Sequence, residues 1–152
     1  MSSGGQAEWW FYHVEHTSLD AAVAPLLEKC LERRWRVVLA GSEETLARID
    51  QSLWTWRDDS FIPHGRGDAE RQPIHLSTTA EPLNGANVAL LLDGADADGA
   101  RFERCMVVFD GADQETRSKA RRQYKAASDS GAGARYFQQE GRGWKEWRPD
   151  KG

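Results

Sequence analysis

Apolar residues recur at two spacings along the chain, and these spacings predict alternating strands and helices. Residues 9–14 form a short aromatic and β-branched run, which is long enough for a buried strand. Residues 19–31 instead carry apolar side chains every three or four positions, which is typical of an amphipathic helix capped by Thr17 or Ser18. Pro25 lies inside this helix, so the helix is expected to start late or to kink there.

The same alternation continues, and strands then follow one another directly. Residues 36–40 predict a second strand, and Ser42 is expected to cap a second helix with two glutamates in its first turn. Asp113 is expected to cap a long polar helix that ends at Gly131. Further strands are predicted at residues 73–78, 87–93, 103–110 and 134–139, after a long loop at residues 54–72.

This order of elements predicts one α/β domain over residues 1–152. The expected architecture is a Rossmann-like layered fold with a mostly parallel mixed sheet flanked by helices. Neither Glu15-His-Thr-Ser nor Gly41-Ser-Glu-Glu, the turns after the first two strands, forms a glycine-rich phosphate loop. The fold is therefore expected to lack a nucleotide-binding loop. Residues 1–7 and about 141–152 are expected to be flexible.

Composition matters mainly through the distribution of charge. The 152 residues are 39% hydrophobic and have a formal net charge of −4. Residues 1–116 contain 10 Lys and Arg against 20 Asp and Glu, whereas residues 117–152 contain 10 against 4. The two parts thus carry −10 and +6, which favours an acidic ligand for the C-terminal part. The sequence shows no export signal and no apolar run long enough to cross a membrane, so a cytoplasmic protein is expected. Cys30 and Cys105 lie in apolar patterns and are expected to be buried, reduced thiols.

The predicted polar helix places several basic residues beside a tyrosine. Arg117, Arg121, Tyr124 and Lys125 fall within about 100° of one another around the helix axis. A solvated basic face and a receptor for an anion both remain open. As a receptor, this face would bind a short acidic peptide with aromatic or aliphatic anchors, and Trp144 is expected to close the region from the tail.

The long loop carries large aromatic side chains at Trp54, Trp56 and Phe61, which belong either to the core or to a protein interface. The same loop contains Asp58, Asp59 and His64, and a metal-dependent phosphoesterase using them is one alternative function. Direct binding of single-stranded DNA through the basic helix with Trp144 and Trp147 is another. The acidic remainder of the chain disfavours the latter, so no direct DNA contact is expected.

Several segments together resemble the chi subunit of the bacterial DNA polymerase III holoenzyme over nearly the whole chain. They are Phe11-Tyr-His, residues 27–37, Asp50-Gln-Ser-Leu-Trp, Asp58-Asp-Ser-Phe-Ile-Pro-His, Asn84-Gly, Val107-Val-Phe-Asp-Gly and Arg121-Arg-Gln-Tyr-Lys-Ala. The resemblance departs at Gln123, where a basic residue can occur, and in a longer tail beyond Gly141.

The resemblance implies a Rossmann-like fold and a non-catalytic accessory subunit, with no cofactor, metal or active site of its own. Such a subunit links the clamp-loader complex, through the psi subunit, to the acidic C-terminal tail of single-stranded DNA-binding protein. By position, the residues that resemble the tail-binding set are Arg117, Arg121, Tyr124, Lys125 and Trp144. Those that resemble the surface for psi, or for a competing helicase, are Trp54, Phe61, Pro63 and His64.

Overall fold

A computed structural model describes residues 7–55, 62–141 and 143–147. The described residues form seven strands and three α-helices. In chain order these are β1 (Glu8–Val14), α1 (Leu19–Glu32), β2 (Val37–Ala40), α2 (Glu43–Trp54), β3 (Ile74–Ser77), β4 (Val88–Leu91), β5 (Arg104–Asp110), α3 (Gln114–Asp129), β6 (Ala134–Glu140) and β7 (Gly143–Trp147). Short 3-10 turns lie at Ala69–Arg71 and Gly99–Arg101. None of the helices in these ranges is both long and apolar enough to cross a membrane.

The strands form one sheet in the order β3-β2-β4-β5-β1-β6-β7. Every neighbouring pair is parallel except β6 and β7, which form an antiparallel hairpin. The prediction of an α/β fold with a mostly parallel mixed sheet is therefore confirmed. Strand β7 lies in the tail, where the sequence predicts no strand, and extends the sheet beyond β6.

The helices lie on both faces of the sheet because the chain reverses its direction of travel. From β1 it crosses through α1 and α2 towards the β3 edge, whereas from β5 it crosses through α3 to β6. Right-handed crossovers in opposite directions place their helices on opposite faces. Accordingly, α1 and α2 pack on a core layer that contains Tyr12, Leu39 and Leu90. Helix α3 packs on a second layer, which contains Phe11 and Phe109.

Side-chain caps begin the three helices where the sequence predicts them. The backbone N–H of Ala21 donates to Ser18, so Ser18 rather than Thr17 caps α1. Ser42 caps α2 and Asp113 caps α3 in the same way. Helix α1 begins at Leu19 and continues through Pro25, so of the two alternatives, a late start or a kink, the late start is excluded.

Both cysteines are buried and unpaired, as the apolar pattern predicts. Burial raises the pKa of Cys30 to about 11 and that of Cys105 to about 12, because it disfavours the charged thiolate. Both side chains therefore remain neutral thiols and serve as part of the core.

Candidate functional site

A groove of about 320 Å³ lies between α3 and the β6–β7 hairpin. Its walls are mainly aromatic, and two guanidinium groups stand at its rim. The lining residues are His13, Phe109, Arg117, Arg121, Tyr124, Tyr136, Gln138 and Trp147. Helix α3, the strand ends of β1 and β5, and the hairpin thus combine an apolar floor with positive charge. We call this the α3 groove.

Helix α3 presents three of the predicted residues to this groove. Arg117, Arg121 and Tyr124 are spaced by four and three residues, which places them on one helix face. The Tyr124 ring lies edge-on against Phe11 and Tyr136, with centroid distances of 5.5 and 6.0 Å. These contacts hold Tyr124 in the floor of the groove.

The two arginines of the α3 groove keep their charges available. Arg117 and Arg121 are exposed, and neither forms an ion pair within the described part of the chain. They nevertheless act on the groove electrostatically, because both favour the ionised form of the Tyr136 phenol against the larger effect of burial. Burial dominates, so the pKa of Tyr136 lies above its usual value and its hydroxyl stays neutral.

Lys125 occupies a different part of α3. Its ammonium group lies 3.1 Å from the Asp129 carboxylate, one turn further along the helix, and it does not line the α3 groove. The structure therefore places Lys125 outside the walls of the groove, with its charge balanced by Asp129. Both partners of the pair are largely exposed, so this pair contributes little to stability.

The placement of Trp144 must be corrected. Side chains alternate between the two faces of a strand, and Trp144 and Trp147 are three positions apart on β7. Trp144 packs edge-on against Tyr12, at a centroid distance of 5.1 Å, on the face that carries α1. Trp147 lies opposite Tyr136 in the β6–β7 ladder, at 5.8 Å, and lines the α3 groove. Trp147 therefore takes the position expected for Trp144.

His13 is a groove residue that the sequence does not indicate. A hydrogen bond of 2.8 Å joins its Nδ1 to the Tyr136 hydroxyl. Its ring lies so close to Gly111 that a Cβ atom there would be 2.0 Å from Nε2, so only glycine fits at that position. Burial lowers the pKa of His13, an effect that Glu15 opposes, and the ring is neutral at pH 7.

The second predicted surface is partly described. Trp54, at the end of α2, is 57% exposed, and its ring lies 4.9 Å from that of His64. His64 is itself buried, with hydrogen bonds of 2.6 Å to the Ile62 carbonyl and 2.9 Å to Asp50. Pro63 is half-buried beside it. His64 therefore supports the exposed Trp54 ring from beneath.

Four other loop residues named in the sequence analysis lie outside the described ranges, namely Trp56, Asp58, Asp59 and Phe61. The two aspartates belong to the proposed phosphoesterase alternative, and Phe61 to the proposed psi surface. Within the described ranges, no three His, Cys, Asp or Glu residues stand close enough together to hold a metal ion.

Comparison with known proteins gives a consistent match. Residues 7–135 match the family model described as DNA polymerase III chi subunit, HolC. A curated relative, the probable DNA polymerase III subunit chi of Rickettsia prowazekii (strain Madrid E), is 28% identical over 89 residues. That alignment covers 56% of this chain and 54% of the relative, so it spans about half the length of each protein. The family match includes α3 and ends before β7.

Proposed function

The chain belongs to the family of DNA polymerase III chi subunits, and from this we propose that it is a non-catalytic accessory subunit of that polymerase in DNA replication. In this proposal it links two partners. One surface binds the acidic C-terminal tail of single-stranded DNA-binding protein. The other binds the psi subunit of the clamp-loader complex, or a helicase that competes for the same surface.

The α3 groove is the observation that supports tail binding. An acidic peptide with an apolar last residue needs cations near an apolar socket, and the groove offers both within about 320 Å³. Arg117 and Arg121 are free to meet carboxylates, while Tyr124 and Tyr136 can enclose a side chain. Burying one aromatic side chain contributes roughly 1.5–3 kcal/mol, and each exposed charge contact contributes less than about 1 kcal/mol. We therefore expect a modest affinity that weakens with salt.

The proposed tail-binding residues differ in their roles. Arg117, Arg121 and Tyr124 would touch the ligand, because all three line the α3 groove. Lys125 would contact the tail only by leaving its exposed pair with Asp129. Trp144 keeps no direct role in this proposal, and Trp147 would contact the ligand in its place.

The surface around Trp54 supports the second contact. A large apolar ring that is 57% exposed at the end of a helix is a typical binding anchor. The buried His64 and its bond to Asp50 keep the ring in place without covering it. Phe61 and Pro63 follow in the same loop and complete the proposed surface for psi.

A peptide titration tests the proposal. A labelled acidic peptide ending in Pro-Phe is titrated with the parent protein, with Arg121→Gln, and with Arg122→Gln as the matched control. Both variants remove one exposed charge from α3, but Arg122 does not line the α3 groove. We expect binding to weaken about three- to five-fold for Arg121→Gln and to change little for the control. Equal affinities of the two variants, or no binding by the parent, would exclude the site.

A further inference from the structure

A second groove, of about 230 Å³, lies on the opposite face of the sheet. It runs between the C-terminal half of α1 and strands β1, β6 and β7. Helix α1 packs against α2 and β5, so the aromatic side chains of the outer strands on this face stay half-exposed. The half-exposed side chains include Trp10, Phe137 and Trp144, so this part of the sheet has aromatic rings that a ligand can reach.

Three guanidinium groups alternate with three aromatic rings beside this second groove. All distances are from the guanidinium carbon to the ring centroid. Trp35 lies between Arg33, at 5.0 Å, and Arg104, at 4.3 Å. Trp10 lies between Arg104 and Arg135, at 5.2 Å from each, and Arg135 also lies 5.1 Å from Phe137. Stacking of this kind uses the flat faces of a guanidinium group and leaves its N–H edges free for anions. We call this set the arginine–tryptophan groove.

Much of the positive charge here is not neutralised by the protein. Within the described ranges, Lys29, Arg33 and Arg104 form no ion pair, whereas Arg135 pairs with Glu146 at 2.9 Å. The Nε atom of Arg104 is also buried without a hydrogen-bond partner.

The form of the arginine–tryptophan groove favours a nucleic acid over an acidic peptide. Its base is formed by Leu26, Cys30 and Met106, which are each at most 5% exposed, so little aliphatic surface is open to a ligand. The surface that remains consists of guanidinium edges and aromatic rings. Guanidinium groups recognise phosphates, and bases stack on aromatic rings and on guanidinium planes. We propose that the arginine–tryptophan groove binds single-stranded nucleic acid, mainly through its phosphodiester backbone.

This site goes beyond the proposed function and departs from an expectation of the sequence. The net charge of −10 over residues 1–116 argues against a DNA contact. However, Arg33, Arg104 and Arg135 come from distant parts of the chain and meet only in the fold. Of two neighbouring acids, Glu146 pairs with Arg135, whereas Glu8 accepts a hydrogen bond from the uncharged Trp10 indole and keeps its charge, which stands against the unpaired Lys29, Arg33 and Arg104. The local field at the arginine–tryptophan groove therefore differs from the average of the chain.

Fluorescence anisotropy with a labelled oligothymidine tests this site. The variant Arg33→Gln/Arg104→Gln removes two charges from the arginine–tryptophan groove, and Arg121→Gln/Arg122→Gln removes two from α3. Each phosphate contact with a single strand contributes about 0.7 to the slope of log affinity against log salt. We expect the first variant to bind at least about five-fold more weakly at low salt, with a slope shallower by about 1.4. The second variant should bind the acidic peptide about three- to five-fold more weakly, as Arg121→Gln does, and keep the oligonucleotide.

Four results would overturn this site, and none of them bears on whether the parent binds the acidic peptide. In the first, the parent does not bind the oligonucleotide at low salt, and in the second, Arg33→Gln/Arg104→Gln binds it as well as the parent does. In the third, Arg121→Gln/Arg122→Gln loses DNA binding. In the fourth, Arg33→Gln/Arg104→Gln loses peptide binding and keeps DNA binding. Thermal melting checks that each variant is folded. If Arg104→Gln lowers the melting temperature, Lys29→Gln/Arg33→Gln replaces it, because both side chains are exposed.

Discussion

Replacing Trp147 by alanine tests how the α3 groove holds its ligand. The ring stands edge-on against Tyr136 at 5.8 Å and is 47% exposed in the free protein. A tryptophan side chain can bury up to about 250 Å², so on the order of 100 Å² remains for a ligand to cover. At about 25 cal/mol per Å², full coverage would contribute about 2.5 kcal/mol. Since a ligand covers only part of the ring, we expect Trp147→Ala to cost about 1–2 kcal/mol, roughly a 5- to 30-fold loss of affinity.

The matched control for this variant lies on the same strand. Trp144→Ala removes the same side chain from the opposite face of β7, where it packs on Tyr12 and the α1 core. Trp144→Ala should therefore lower the free energy of unfolding more than Trp147→Ala, yet leave peptide affinity close to that of the parent. Calorimetric titration at a temperature where both variants are folded gives the comparison. The reasoning is refuted if Trp147→Ala binds as tightly as the parent, or if both variants weaken binding equally.

Two further predictions concern groups outside the arginine pair. Burial lowers the pKa of His13 in the fold, Glu15 and Asp110 oppose this shift, and Arg117 adds to it. Because the folded pKa lies below the usual value, the contribution of His13 to stability is present above about pH 6.5 and is lost as the pH falls through the folded pKa. Denaturant titrations between about pH 7 and 5 should show a smaller loss of stability for His13→Gln than for the parent, and parallel curves would contradict this. Trp54→Ala should leave the melting temperature nearly unchanged, because the ring is 57% exposed, while reducing co-purification with psi. Undiminished co-purification would remove Trp54 from the proposed surface.

The predictable part of the fold is the part that depends on neighbours in sequence. Ser18, Ser42 and Asp113 cap their helices through bonds to N–H groups two or three residues away, so their role can be recognised in the sequence. Strand β7 has no comparable local signal, because it begins at a glycine and its length is only five residues. It is a strand because the edge of β6 offers an unpaired ladder, which only the folded sheet reveals.

The candidate site also contains residues that local structure brings together and residues that only the folded sheet brings together. Arg117, Arg121 and Tyr124 lie on one helix, so helical geometry alone brings them together. His13 and Tyr136 are 123 positions apart and meet because β1 and β6 are neighbours in the sheet. The error over Trp144 has the same origin, since the faces of β7 can be assigned only once β7 is known to be a strand. Non-local pairing therefore sets the limit of what this sequence shows about its site.

The distribution of acidic residues suggests why ligand binding in this fold would occur on the two faces of the sheet. In open α/β sheets, ligands usually bind beyond the carboxyl ends of the strands where the chain reverses direction, here β1 and β5. That crevice is lined by Asp20, Asp93, Asp110 and Asp113. Their charges repel a phosphate.

The N-terminal N–H groups of the adjoining helices are also engaged. Ser18 and Asp113 already accept hydrogen bonds from the first turns of α1 and α3, which a bound phosphate would otherwise use. Charge and occupied donors thus disfavour a nucleotide at this position. Free cations instead accompany aromatic rings at the α3 groove and at the arginine–tryptophan groove, on opposite faces of the sheet. Because the two grooves share no lining residue, an acidic tail bound in one, as proposed, would leave the other open to a second ligand.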